Sequence, residues 1–235
     1  MRSFSHALSH DLRAPIRHIE GYAEVLNGMP PEEVGDYLAK IESEAKELSS
    51  MVDGLNALCR ISSYELIKDK VSLSELIAKV EADCRESEWQ DVSGEVKVNV
   101  GGMAFGDWRL LKIVFQNLLQ NAMKYSAKEE HPCVQVRSVP TDDPQETVVA
   151  ISDNGIGFNT KYASNLFQPF RRLHNKNEYK GEGIGLATVS RILKRHSGRI
   201  WFESEKDKST TFFISLEKWT GQAPVAEGPE DDEDE

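Results

Sequence analysis

The stretch Phe4 to Leu26, FSHALSHDLRAPIRHIEGYAEVL, places apolar residues at Phe4, Leu8, Leu12, Ile16, Ile19, Ala23 and Leu26. Steps of three and four draw one stripe along a helix. Asn27-Gly28-Met29-Pro30-Pro31 ends that helix, and Glu32-Glu33 put acids into the first turn of a second, where the helix dipole favours them. The second arm repeats Leu38, Ile41, Ala45, Leu48, Val52, Leu55 and Cys59, the spacing of a coiled-coil seam. Two such helices cannot enclose their stripes alone, whereas two copies of the pair close a four-helix bundle. Residues 1–61 therefore predict an antiparallel helical hairpin and a homodimer.

Outward from the hairpin the texture changes. Residues 62–70 read as a polar linker, and 71–219 as a domain of mixed helices and strands. Ser72-Leu73-Ser74-Glu75 resembles a capping box opening a helix to about Cys84. Val96 to Val100 alternates as a strand, and Asp107 caps a helix over Trp108 to Tyr125. Val134 to Val139 and Val148 to Ser152 predict paired strands. A glycine-bearing loop region follows from Asn154 to Glu182, then a helix over Ile184 to His196 and strands over Gly198–Glu203 and Thr210–Leu216. This order predicts a two-layer α/β sandwich with antiparallel strands. Residues 220–235 predict a disordered acidic tail.

The net charge is −11, but Glu227 to Glu235 alone contribute seven acids, and the rest carries −4. No global basic footprint points to nucleic acid. No run of about 18 apolar residues occurs, so membrane contact by this segment is not expected and a cytoplasmic domain is. Cys59, Cys84 and Cys133 lack the spacing of a zinc site or a disulfide framework.

Four stretches carry chemistry. His10 lies two residues from both Leu8 and Leu12, off the stripe, and Asp11 beside it can fix the imidazole tautomer and leave the other nitrogen free to attack. Pro15 removes a backbone donor one turn later. Asn117, Asn121 and Lys124 share a helix face at i, i+4 and i+7, where amide oxygens suit magnesium and the ammonium suits phosphate. Asp153-Asn154-Gly155-Ile156-Gly157 follows a strand. Gly181-Glu182-Gly183-Ile184-Gly185-Leu186 opens a helix, where backbone N–H groups approach an anion. Neither glycine run is a dinucleotide fingerprint or a P-loop. Taken singly, each stretch is also compatible with a surface histidine, a solvated polar face or a turn.

In this order the stretches resemble the catalytic core of a sensor histidine kinase, over about residues 4–217. Phe4 with Ser9 to Pro15 is similar to the H-box, Asn117 to Tyr125 to the N-box, and Asp153 to Gly157 to the G1 box. Phe167-Gln168-Pro169-Phe170 is similar to the F-box and Gly181 to Leu186 to the G2 box. The stretches SHDLRAP and LFQPFRRLH resemble the phytochrome-like subgroup most. The resemblance implies a dimerisation and phosphotransfer hairpin followed by an ATP-binding domain of the gyrase, Hsp90 and MutL type, using ATP and Mg2+. It also implies a response-regulator receiver domain as acceptor, and an upstream sensor domain or regulatory partner. By matching position, His10 is the phosphoacceptor, Asp11 its orienting carboxylate and base, and Asn121 the magnesium ligand. Asn117 and Lys124 lie at the phosphates, Asp153 and Tyr125 at the adenine, and Arg172 reaches the γ-phosphate. Gly155, Gly157, Gly181, Gly183 and Gly185 frame a mobile lid, and Leu186 counts with them among the cofactor-binding residues.

Three positions depart from related patterns. Asn117 stands where hydrolysing relatives of this nucleotide fold carry a water-activating glutamate, which favours a protein nucleophile over water. Glu182 replaces the usual Thr or Ser and should repel triphosphate. Ala14 stands where phosphatase-competent members carry Thr or Asn. A weakly nucleotide-binding phosphotransfer scaffold and an ATP-driven clamp are the competing readings.

Overall fold

The stripe of residues 4–26 does fold as a helix. The computed structural model describes residues 2–28, 30–87, 89, 94–163, 165–173, 178–179 and 183–221; for residues 2–11, 31, 32 and 162 it describes the backbone alone. Helix α1 spans Arg2–Leu26 and continues through Pro15, and helix α2 spans Pro31–Ser63, entered through the Pro30-Pro31 pair. They run antiparallel: His18 faces Glu44 at 3.4 Å, and the rings of Tyr22 and Tyr37 meet edge to face at 5.9 Å. Among the described residues no helix is long and apolar enough to cross a membrane. The tail from residue 222 onward lies outside the described residues.

The second half comprises strands β1 (Asp69–Ser72), β2 (Glu95–Asn99), β3 (Met103–Gly106), β4 (Cys133–Val139), β5 (Glu146–Asp153), β6 (Arg199–Glu205) and β7 (Ser209–Glu217). Helices α3 (Leu73–Ser87), α4 (Trp108–Ser126) and α5 (Gly185–Arg195) lie among them. Five strands form one sheet in the order β2-β4-β5-β7-β6. Leu111, Phe115, Leu118 and Leu119 of α4 and Ile192 and Leu193 of α5 pack with Ile151 and Ile214 of the sheet, all fully buried. Each such side chain contributes about 1.5–3 kcal/mol through burial. The α/β sandwich is thus as expected.

Three details differ from the sequence expectation. The sheet is mixed, because β2 pairs parallel with β4 while the other neighbours are antiparallel. The two ends of the span expected as linker, 62–70, belong to regular elements, while 64–68 lie between them outside helix or strand. Ser62 and Ser63 continue α2 by donating their hydroxyls to the carbonyls of Leu58 and Cys59, and Asp69-Lys70 open β1. Strands β1 and β3 form a two-stranded ribbon that local patterning did not reveal. Four-residue strands carry too few alternations to register as a pattern, and their pairing spans more than thirty residues of sequence.

The junction between the halves is built around Asp107. It caps α4 by accepting from the Arg109 N–H at 3.0 Å, accepts from the Ile67 N–H at 3.1 Å, and pairs with the Arg109 guanidinium at 2.7 Å. Burial raises the Asp107 carboxyl, but the guanidinium and the two N–H donors outweigh it and hold the group at about 2. The Asp107 N–H donates to Nε2 of the fully buried His196, whose Nδ1 lies 2.8 Å from the Ile192 carbonyl. That arrangement requires the neutral tautomer with its proton on Nδ1. Burial lowers the imidazole further below its ordinary range.

Candidate nucleotide site

Helix α4 turns two faces to two environments. Leu111, Phe115, Leu118, Leu119 and Ala122 enter the core, while Asn117, Gln120, Asn121 and Lys124 remain half-buried along the wall of a cavity of about 610 Å3. The opposite wall is formed by Leu166, Arg171, Arg172, Tyr179 and the Gly183–Leu186 segment at the start of α5. A small inner recess of about 30 Å3 adjoins this cavity, sharing Asn121, Tyr125, Leu166 and Leu186 with it. Asp153, Gly157, Phe158 and Thr210 line the recess. The face read from i, i+4 and i+7 spacing is therefore a cavity wall and not a solvated surface.

Asp153 ends β5 and is 3% exposed. It accepts from the Gly155 N–H at 3.0 Å and from the Thr210 N–H. Burial dominates those donors and pushes its carboxyl up to about 7. A buried carboxyl in a recess walled mainly by Phe158, Leu166, Leu173, Leu186 and Phe212 suits a ligand N–H donor, which would favour the ionised form. Lys124 is drawn down to about 8 by burial and by the charge of Arg172, and its ammonium lies 4.4 Å from the Tyr125 ring centroid. A cation partly desolvated beside another cation marks a place where an anion would be welcome. Burial raises the Tyr125 phenol.

The glycines divide into two kinds. Gly155 sits beneath the end of α4, where an added Cβ would lie 2.3 Å from the Tyr125 carbonyl oxygen. Gly157, at φ +50°, would bring a Cβ 2.1 Å from the Glu205 carbonyl oxygen of the β6–β7 turn. These two belong to a floor packed against backbone, in contrast to the lid framing expected of them. Gly183 (φ +74°) and Gly185 lie at the rim. A Cβ on Gly185 would come 2.5 Å from Asn117 Oδ1, while the Asn117 amide nitrogen donates to the Ile113 carbonyl at 2.8 Å. The carboxamide oxygen is thus aimed toward the start of α5. Gly183 accepts from the Phe170 N–H at 2.9 Å, which ties the Phe167–Phe170 segment to this rim; Phe170 itself adopts φ +62°.

Of the other expected residues, Leu186 lines both spaces and Arg172 lines the larger one while donating to the Tyr179 carbonyl. Gly181 and Glu182 lie outside the described residues, so the expected repulsion by Glu182 has no geometry to test it. His10 and Asp11 stand within α1, and their side chains are likewise outside the description. Sequence reading missed Trp89, Lys128 and Tyr179 on the wall. Lys128 lies in the turn after α4, beyond the reach of that helix's periodicity. The ring of Tyr179 lies 5.2 Å from that of Tyr125, tilted by 51°, and the Lys128 ammonium sits 4.5 Å over the Tyr179 ring.

Residues 106–220 match the family of histidine kinase-, DNA gyrase B- and HSP90-like ATPases, and residues 1–63 match the His Kinase A (phospho-acceptor) domain. The phytochrome-like protein Cph1 of Synechocystis is 26% identical over 92% of this chain and 29% of its own length. The sensor protein RprX of Bacteroides fragilis is 29% identical over 91% of this chain and 43% of its own. The chain thus spans less than half of either relative. Among solved structures, histidine kinase ThkA in complex with the response regulator protein TrrA superposes with a TM-score of 0.64 at 20% identity. That match covers 92% of this chain and 61% of the other, and shows a shared fold. With an ATPase-type cavity on one domain model and a phosphoacceptor helix pair on the other, the chain belongs to the histidine kinases.

Proposed function

We propose that the chain is an ATP-dependent histidine autokinase that transfers the γ-phosphoryl group of ATP to His10 and from there to an aspartate of a receiver domain. The observation that carries this reading is the adjacency of the two spaces, which share Asn121, Tyr125, Leu166 and Leu186. Asn117, Asn121, Lys124 and Arg172 line the larger one and Asp153 lines the recess, so a ligand with its polyphosphate in the cavity and the amine edge of its base toward Asp153 meets both sets of groups.

The residues present fit such a ligand. Asp153 accepts from an exocyclic amine while Tyr125 and Leu186 cover the base. Lys124 and Arg172 balance phosphate charge. The Asn117 oxygen, held by the turn of its own amide, and Asn121 are neutral oxygen donors of the kind magnesium takes alongside substrate phosphates. Magnesium, when bound there, supplies charge neutralisation across the phosphates. The absence of a carboxylate at position 117 leaves water without a base and favours attack by a side chain.

In the transfer, a ring nitrogen of His10 forms the bond to the γ-phosphorus as the bond to the β,γ-bridging oxygen breaks. ADP leaves with that electron pair, and Asp11 takes the imidazolium proton. The paired hairpin is the proposed homodimer interface, completing a four-helix bundle. The residue limits proposed are 1–61 for the hairpin and 71–219 for the ATP-binding domain.

The test is incubation of the full chain with γ-labelled ATP and magnesium. Acid-labile, base-stable label is expected in the unmodified chain and none in His10→Gln, which should retain nucleotide binding. Steady hydrolysis that survives His10→Gln would instead indicate an ATP-driven clamp.

A further inference from the structure

Of the three glycines within α1 and α2, Gly21 and Gly35 have open space where a Cβ would stand, whereas Gly54 does not. A Cβ there would lie 1.8 Å from Ile184 Cδ1 and 3.0 Å from its Cγ1. The Ile184 side chain occupies volume that any other residue at position 54 would fill. Gly54 has no left-handed φ, and glycine inside a helix is about 1 kcal/mol less favourable than alanine. The helix has no backbone use for this glycine, while the contact does.

Ile184 is 6% exposed and joins two features, since it also lines the nucleotide cavity and immediately precedes α5. Three further bonds, from two arginines, fix α5 along the end of α2. Arg191 Nε donates to Ser62 Oγ at 2.6 Å, and the Arg195 guanidinium donates to the carbonyls of Ile61 and Tyr64. Ile61 is buried in the core of the second half. The α2 segment from Gly54 to Tyr64 thus holds α5 at both ends.

The pairings of His18 with Glu44 and of Tyr22 with Tyr37 and Lys40 set the helical register. Extended along α1, they put residue 10 level with roughly residues 49–52 of α2. Gly54 is then about one helical turn away along the axis.

We infer that Gly54 is a seat for Ile184, and that this contact is a positioning element which sets the height of the cavity rim relative to His10 for phosphoryl transfer. This rests on the function proposed above. In-line transfer is sensitive to placement: a displacement of about 1 Å can reduce rate on the order of a hundredfold.

The experiment uses the full chain with Mg-ATP. Gly54→Ala adds one methyl and raises helix propensity, so loss of folding is not expected. Its predicted signature is a fall of at least about tenfold in the rate of His10 labelling, with the nucleotide Kd unchanged. Ile184→Val removes the Cδ1 atom that collides with the new methyl and keeps the β-branched wall. The pair Gly54→Ala/Ile184→Val should therefore recover to the rate of Ile184→Val alone, which a general disturbance of α2 would not produce. An unchanged or faster rate in Gly54→Ala, a parallel loss of nucleotide affinity, or failure of the second substitution to rescue would overturn the inference. Absence of His10-dependent label from the unmodified chain would remove the functional reading itself, and is read before any variant.

Discussion

The hairpin and the sandwich solve burial in opposite ways. In the sandwich, core side chains from α3, α4, α5 and the sheet are almost wholly enclosed within one chain. In the hairpin, Leu12, Ile19 and Leu26 of α1 and Ile41, Leu48 and Leu55 of α2 are half-buried, while a second set stays in the open. Ile16 and Ala23 on α1, and Leu38, Ala45, Val52 and Cys59 on α2, are exposed and recur every seventh residue. Ile16 is 40%, Leu38 53% and Val52 43% accessible. Rows of apolar residues at heptad spacing are what a bundle seam uses. The sandwich is thus a finished unit, and the hairpin is half of one. That asymmetry suits the function proposed above, in which a self-contained ATP-binding domain would serve a phosphoacceptor built from two chains.

The comparison can be broken first at its glycines. Gly155→Ala forces a methyl onto the Tyr125 backbone and should cost on the order of 3 kcal/mol or more in the sandwich, visible as a lowered or lost melting transition. Gly35→Ala in the hairpin meets open space and should stabilise by about 1 kcal/mol. Equal effects on the two would erase the contrast drawn between a sealed and an open unit.

The exposed rows give the next largest effect. Leu38→Glu with Val52→Glu should convert two associated chains to one in sedimentation, while nucleotide binding by the sandwich persists. An unmodified chain that is already single would contradict the seam.

Asp153 separates stability from function within the sandwich. Its carboxyl titrates near 3.8 when unfolded and at about 7 when folded, so the folded chain holds an extra proton between those values. The stability linked to that proton is fully present below about 3.8 and is lost as pH rises through 7. Asp153→Asn should therefore stabilise the fold more at pH 8 than at pH 5, by on the order of 2 kcal/mol, while weakening nucleotide binding. A stability difference independent of pH would remove the buried carboxylate from the account.

The smallest effect is the pH dependence of affinity. With Lys124 titrating at about 8, nucleotide binding should weaken several-fold between pH 7 and pH 9, and the slope should flatten in Lys124→Met. Calorimetric titration across that range reads both.

Much of this was legible in order, because helix periodicity is local. The two hairpin stripes, the i, i+4, i+7 face of α4, and the Asp107 cap required only neighbours along the chain. Of the cavity's remaining lining, Arg172, Gly183, Gly185 and Leu186 came only with the family resemblance, and Trp89, Leu166 and Tyr179 did not follow at all, since they reach it from separate segments with no shared period. The β1–β3 ribbon was hidden for the same reason. The glycines teach a finer point: Gly155, Gly157, Gly183 and Gly185 look alike in sequence, yet the first two press on the backbone of the floor, Gly183 on the backbone of Phe170 and Arg171 at the rim, and Gly185 on the Asn117 side chain. Only the partner atoms distinguish them.

The central claim is that the finished unit delivers a phosphoryl group to the unfinished one. Peptide mass spectrometry of the full chain after Mg-ATP, kept under base-stable conditions, tests it most directly. The account predicts phosphate on residue 10 and its loss in Asn121→Ala. Free phosphate accumulating with no modified peptide, or modification at another residue that persists in His10→Gln, would contradict it.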